Sequence, residues 1–293
     1  MRRLTYRYLT SASKRVGLWL FHAVAWWIAT GYYILIPART KIGVDFYKAL
    51  YPEKSFLFCM RCAWKQYHNF TNVFFDRFIL HDFDDISYTS EGWKYIEEAA
   101  KKKTGGIVLM SHIGNWEVAA HLLKRGGLKM LLYMGIKEKE QLERTQKESL
   151  EKSGLKIIAV MRDKASPFDL IEGVNFLKHG GLVSLTGDRI WRGDQRNIKV
   201  NFLGHEALLP ETPYIFAMLS GAPLFFFFAF RTGEKQYYFS ISKPMYIRNV
   251  SRSRRKAIFQ KTAQEYADAM EKSVRKYPYE WFHFERFLGR QNK

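Results

Sequence analysis

The sequence predicts an α/β protein with a mostly parallel central sheet flanked by helices, preceded by an N-terminal membrane-associated helical region. Two observations carry that expectation. From about Ser90 onward, short apolar runs alternate with longer amphipathic segments, the pattern of a chain that crosses a sheet repeatedly and returns by helix. Before that point lies a stretch of 23 residues, Val16 to Ala38, without a single Asp, Glu, Lys or Arg. With 293 residues, 47% of them hydrophobic and 16% aromatic, the chain can bury a sizeable core, which excludes a disordered protein.

Taken in order, "VGLWLFHAVAWWIATGYYILIPA" is long enough for a helix to cross a bilayer core of about 30 Å. Arg2, Arg3, Arg7, Lys14 and Arg15 precede it, Arg39 and Lys41 follow, and Trp19, Trp26, Trp27, Tyr32 and Tyr33 suit the interfaces. The run exceeds a signal-peptide core, and "ILIPART" is a poor cleavage site. A spanning helix would keep the basic N-terminus cytoplasmic and export the rest, whereas an interfacial helix bent near Gly31 and Pro37 avoids that conflict. Both remain open, as does a buried helix of a soluble bundle. Residues from about Val44 to Leu80 read as one or two aromatic-rich helices. They contain Cys59 and Cys62, the only two cysteines, too few for a structural zinc site and placed as buried thiols.

Then "SEGWKYIEEAAKKKTGG" reads as a helix, "GIVLMS" as a buried strand and "NWEVAAHLLKRGG" as a helix with a glycine stop. Strands follow at "KMLLYMG", "KIIAV" and "GLVSLTGD", separated by the charged helix "KEKEQLERTQKESLEKSG" and by "SPFDLIEGVNFLKHGG". A hairpin is expected around Thr232 to Lys235, and "SRRKAIFQKTAQEYADAMEKSVRKYP" is a closing helix. The run Phe225 to Phe228 fits a strand covered on both faces. The expected division is a membrane-proximal helical region over 1–85 and a catalytic-sized α/β domain over 86–293.

The 47 Lys and Arg against 28 Asp and Glu give a net charge of +19, which implies acidic partners: nucleic acid, anionic lipid or an acidic carrier protein. No zinc-finger or RNA-recognition signature accompanies the charge, and nucleic-acid binding has no use for the apolar N-terminus. The basic run Arg252 to Lys256 is read as a solvated face.

Chemistry is expected where "GIVLMS" ends, because open α/β sheets carry their sites beyond the carboxyl ends of the strands. His112 stands there and Glu117 follows five residues later, in the first helical turn. A carboxylate on one ring nitrogen fixes the tautomer and leaves the other basic, ready to deprotonate a hydroxyl or amine. Ser111 adjoins His112 but points to the opposite face of an extended strand, and no G-x-S-x-G elbow is present. The motif alone leaves two further readings open, a histidine merely hydrogen-bonded at a strand end and a metal pair of Glu117 with His121, although H-E-x-x-H is absent.

The stretch "SHIGNWE", an H-x4-E motif between an apolar strand and a helix, closely resembles the lysophospholipid acyltransferase superfamily. It is most similar to the branch of the late acyltransferases of lipid A biosynthesis and the bacterial acyltransferases of phosphatidylinositol mannosides. Leu182 to Arg231, with its Asp-Arg after a strand, "VNFLG" and "LSGAP", resembles that branch's second block, and "YEWFHFERFL" its Trp-rich ending. The likeness covers nearly the whole chain.

The resemblance implies that His112 is the general base and Glu117 its orienting partner. Asp188, Arg189 and, as an additional cation, Arg192 would hold the acceptor headgroup or a donor phosphate, Arg196 contributing general electrostatics. Gly114 and Asn115 would shape the turn and offer backbone N–H groups to an oxyanion. It implies direct transfer of a fatty acyl chain from an acyl carrier protein or acyl-CoA thioester to a hydroxyl of a lipid or glycolipid, with no cofactor and no metal. The place would be the cytoplasmic face of a bacterial inner membrane. "IGNWE" and "GDR" look more like diverged relatives, including acyltransferases encoded with aryl-polyene and flexirubin-type pigments, which leaves the acceptor open. A non-catalytic lipid-binding scaffold is the remaining alternative.

Overall fold

The computed structural model describes residues 18–79, 86–136, 156–161, 167–191, 193–248 and 251–291. The chain divides into two compact units, one of residues 1–85 with 277–286, the other of 86–276 with 287–293. The closing segment Tyr277–Arg286 thus belongs with the N-terminal helices.

In the first unit the apolar stretch forms α1 (Leu18–Leu35), followed by α2 (Pro37–Leu50) at 90° to it and by α3 (Phe56–Ile79). The bend has a local cause. Pro37 opens α2, and the residue before a proline is driven out of the helical region, which is where Ile36 sits, at φ −120°. No single described helix is long and apolar enough to cross a membrane, although the bent pair passes that test together. Helix α1 lies antiparallel along α3, with Phe21 against Phe75 near one end and the Tyr33 hydroxyl donating to the Met60 carbonyl (3.0 Å) near the other. Cys59 and Cys62 are free, buried thiols on α3. The Tyr47 hydroxyl donates to the Pro278 carbonyl (2.8 Å) and Gln66 to that of Trp281, so the Trp-rich ending is stitched into this helical core.

The second unit is built on a seven-stranded sheet of β1 (Ser87–Glu91), β2 (Gly106–Gly114), β3 (Met130–Ile136), β4 (Lys156–Met161), β5 (Leu182–Thr186), β8 (Leu224–Gly233) and β9 (Gln236–Ile241). The strand order is β1-β9-β8-β2-β5-β3-β4, every join parallel except that between β8 and β9. A separate antiparallel ribbon pairs β6 (Asn197–Phe202) with β7 (His205–Pro210). The helices are α4 (Trp93–Lys101), α5 (Trp116–Arg125), α6 (Pro167–Lys178), α7 (Thr212–Ser220) and α8 (Arg252–Lys276). The mostly parallel sheet flanked by helices is as expected, with the β8–β9 hairpin turning at Glu234 and Lys235. The charged helix expected over "KEKEQLERTQKESLEKSG" falls on 137–155, outside the described residues, as do the basic residues that precede α1.

The core centres on β8. Leu224 through Phe230 are all buried, and because successive strand residues face opposite sides, the sheet is covered on both faces there, with α5 and α8 packed against β8 and β2. That cover lets β2 run as nearly unbroken apolar residues from Gly106 to Met110 and meet polar chemistry only where its pairing stops.

Candidate active site

The site begins with a break in a ladder. β2 pairs with β5 from Gly106↔Leu182 to Met110↔Thr186 and with β8 as far as Met110↔Phe227, then resumes only at Gly114↔Ala229. Three residues, Ser111, His112 and Ile113, therefore stand opposite the single Phe228. Such a bulge re-aims side chains and leaves backbone groups without their strand partners, and buried backbone groups must find others. Here side chains supply them. The His112 N–H donates to Asp188 Oδ2 (2.8 Å) and the Ile113 N–H to Ser111 Oγ (3.2 Å).

Two glycines make the bulge possible. Gly114 has φ +74°, and a Cβ there would stand 1.7 Å from the Ala229 carbonyl oxygen, so no other residue fits this exit from β2. Gly187, just past β5, donates its N–H to the Met110 carbonyl (2.7 Å), and a Cβ on it would stand 2.7 Å from both Leu109 and the Tyr266 ring. That close approach delivers the next residue, Asp188, under His112.

Asp188 is fully buried, with 0% exposure, and holds His112 at two points: Oδ2 on the backbone N–H, and Oδ1 2.8 Å from the ring Nδ1. The imidazole keeps 23% of its surface exposed. With Nδ1 facing a carboxylate, the proton sits on Nδ1 and Nε2 is the basic nitrogen. The sequence expectation made Glu117 the orienting partner and gave Asp188 to a headgroup; the carboxylate at Nδ1 is that of Asp188. Strand order is the reason: β5 lies beside β2, so a residue 76 positions away arrives directly at Nδ1. Glu117 is buried in the first turn of α5.

The other expected residues fall as follows. Asn115 is buried, and its N–H donates to the Ala229 carbonyl (2.7 Å), so that amide is committed to the sheet rather than offered to an oxyanion. Arg189, the residue after Asp188, is half-buried, its guanidinium 5.1 Å from the Trp191 ring centroid. The Trp191 N–H donates to Gln195 Oε1 (2.9 Å), which orders the loop leaving Asp188. Arg192 lies outside the described residues, and Arg196 is exposed. Among the described residues, no three His, Cys, Asp or Glu side chains converge as a metal donor set. His283 stacks on Trp281 within the helical unit (centroids 5.4 Å apart). One residue that sequence reasoning missed reaches this corner: Tyr266 of α8, whose hydroxyl donates to the Met110 carbonyl (2.9 Å).

A histidine with a buried carboxylate on one ring nitrogen, at the carboxyl end of a parallel sheet, has the arrangement that general-base chemistry requires. The family comparison gives the class its content. The family model for the bacterial lipid A biosynthesis acyltransferases matches residues 48–289, and the chain belongs to that family, which makes it a lipid acyltransferase in general. No curated protein matches the sequence.

Proposed function

We propose that this protein moves a fatty acyl chain from an acyl carrier protein or acyl-CoA thioester onto a hydroxyl of a lipid A precursor-like glycolipid, with His112 as general base. The observation that carries it is the two-point hold of buried Asp188 on a partly exposed His112. His112 Nε2 takes the acceptor hydroxyl proton as the oxygen attacks the thioester carbonyl. A C–O bond forms, the C–S bond breaks, and the imidazolium returns its proton to the departing thiolate. Asp188 stabilises the imidazolium in between and keeps the ring from turning. Arg189 supplies fixed positive charge beside the reacting centre, suited to a phosphate on donor or acceptor. Oxyanion stabilisation is assigned to N–H groups further into the first turn of α5, since the Asn115 amide is committed elsewhere.

The same proposal places the protein at the cytoplasmic face of the inner membrane, held at the interface rather than by a spanning helix. Supporting this, Trp19, Trp27, Ile28, Ile34 and Leu35 of α1 and Phe56 and Leu57 of α3 are exposed, Leu35 at 79%, with exposed Arg39 and Lys41 following α1. Apolar and aromatic side chains flanked by cations suit an anionic lipid surface.

The test uses membranes from cells expressing wild type or His112→Ala, supplied with bacterial lipid extract and labelled acyl carrier protein or acyl-CoA. A lipid heavier by one acyl chain only with wild type is the expected result. Identical lipid profiles with both donors sink the proposal and leave a lipid-binding scaffold in its place.

A further inference from the structure

We infer that Tyr266 is a positioning residue of this site: its hydroxyl, donated to the Met110 carbonyl, pins the bulge that holds His112 on Asp188. Met110 is the last regularly paired residue of β2, and its carbonyl is shared by two donors, Tyr266 Oη (2.9 Å) and the Gly187 N–H (2.7 Å). One oxygen therefore ties together the segment that carries His112 and the segment that carries Asp188. The phenol also faces the side chain of Ser111, whose oxygen accepts the Ile113 N–H. The corner's backbone thus depends on α8, a helix contributed from 156 residues further along the chain.

The ring fits the same role. Tyr266 is fully buried, lies against Gly187 and packs on Phe226 (centroids 5.0 Å apart) and Phe228 (6.2 Å, planes 9° apart) of β8. A phenylalanine would make those contacts equally well, and burying a hydroxyl is unfavourable unless it is bonded. What tyrosine adds is the bond to Met110. Burial first and the Asp188 carboxylate second push the phenol well above its ordinary pKa, so it stays a donor at any pH at which the enzyme works.

For its kinetic consequence the inference rests on the acyl-transfer proposal, and its test therefore has a readout that needs no substrate. In folded protein with ¹⁵N-labelled histidine, the His112 Nδ1–H proton facing Asp188 is followed at one fixed pH in wild type and Tyr266→Phe, the resonance being assigned by its loss in His112→Ala. Loosening the bulge opens that hydrogen bond more often, so the proton should exchange with water roughly tenfold faster in Tyr266→Phe. With substrate, kcat should drop roughly 10- to 100-fold with KM within about twofold, and Asp188→Asn/Tyr266→Phe should be no slower than Asp188→Asn alone. Phe226→Leu, which removes packing against the same ring but no hydroxyl, should leave the exchange rate unchanged. If Tyr266→Phe does not fold, Ser111→Ala removes another pin of the bulge and should produce the same acceleration. An unchanged exchange rate, or an equal change in Phe226→Leu, overturns the inference. A wild type that transfers no acyl group defeats the acyl-transfer proposal while leaving the exchange measurement to decide this one.

Discussion

The two ends of the parallel sheet carry similar residue types and make opposite use of them. At the carboxyl end, His112 and Asp188 are set in a bulge whose backbone is held by Asp188, Ser111 and Tyr266. At the amino end, a hollow of about 630 Å³ is lined by Lys129, Lys156, Glu172, Asn175 and His179, where β3, β4 and β5 begin. Its ion pair, Lys156 with Glu172 at 2.7 Å, keeps 57% and 42% of its side-chain surface in water, and His179 bonds a carbonyl one helical turn back, that of Asn175. Charges that water can reach are screened and free to relax. A carboxylate sealed from water acts on its partner at nearly full strength and in one geometry. The proposed chemistry is therefore assigned to the carboxyl end on burial and fixed hydrogen bonds, not on the presence of a hollow.

The contrast can be broken most directly at Asp188. Asp188→Asn keeps the volume but removes the charge, and should lower kcat by roughly 100- to 10,000-fold with KM little changed, the scale seen when a histidine loses its orienting carboxylate. Steady-state assay of Asp188→Asn beside Glu117→Gln separates the two carboxylates. If Glu117→Gln were the more damaging, the orienting role would return to the residue nearer in sequence. Next in size is Gly114→Ala. The new methyl would meet the Ala229 carbonyl at 1.7 Å with φ at +74°, so the exit from β2 must shift; the expected loss is roughly 2–4 kcal/mol of stability, read by thermal or denaturant unfolding. A variant as stable as wild type would show that the bulge does not need its glycine.

How much of this was legible beforehand depends on the range of the interaction concerned. The apolar run ending at Ser111, the helix opening after Asn115 and the β8–β9 hairpin rest on local patterning, and each lies where that patterning places it. The β6–β7 ribbon was overlooked although its signal was local too: Ile198, Val200 and Phe202 alternate inward, and Leu203–Gly204 turns with positive φ at both residues. The bend at Ile36 is written in Pro37, and it is one of the options that the sequence left open, beside a straight span suggested by the length of the apolar run. Asp188 on His112 and Tyr266 on Met110 join residues 76 and 156 positions apart. Those contacts follow from β5 lying next to β2 and from α8 packing over both β2 and β8, and no local pattern reports strand order. Glu117, five residues on in the first turn of α5, was legible from its spacing and from the H-x4-E resemblance, whereas the reach of Asp188 to Nδ1 was not.

The smallest effect sharpens the comparison from the other end. Lys156→Ala and Glu172→Gln remove the ion pair that borders the hollow at the amino end, and both partners are substantially exposed. Exposed pairs contribute about 0–1 kcal/mol, because water solvates each charge nearly as well as the partner does, and salt screens what remains. Each substitution should therefore change stability by less than about 1 kcal/mol, with a difference that shrinks further at high salt. Acyl transfer should stay within about twofold of wild type, since neither side chain belongs to the β2–β5 corner. A tenfold fall in kcat for either variant would mean that the amino end communicates with His112, and the separation drawn from burial alone would be wrong. A rise in KM with kcat unchanged would instead mark the hollow as a place where a substrate or carrier touches the enzyme, because binding lost equally from ground and transition states appears in KM alone.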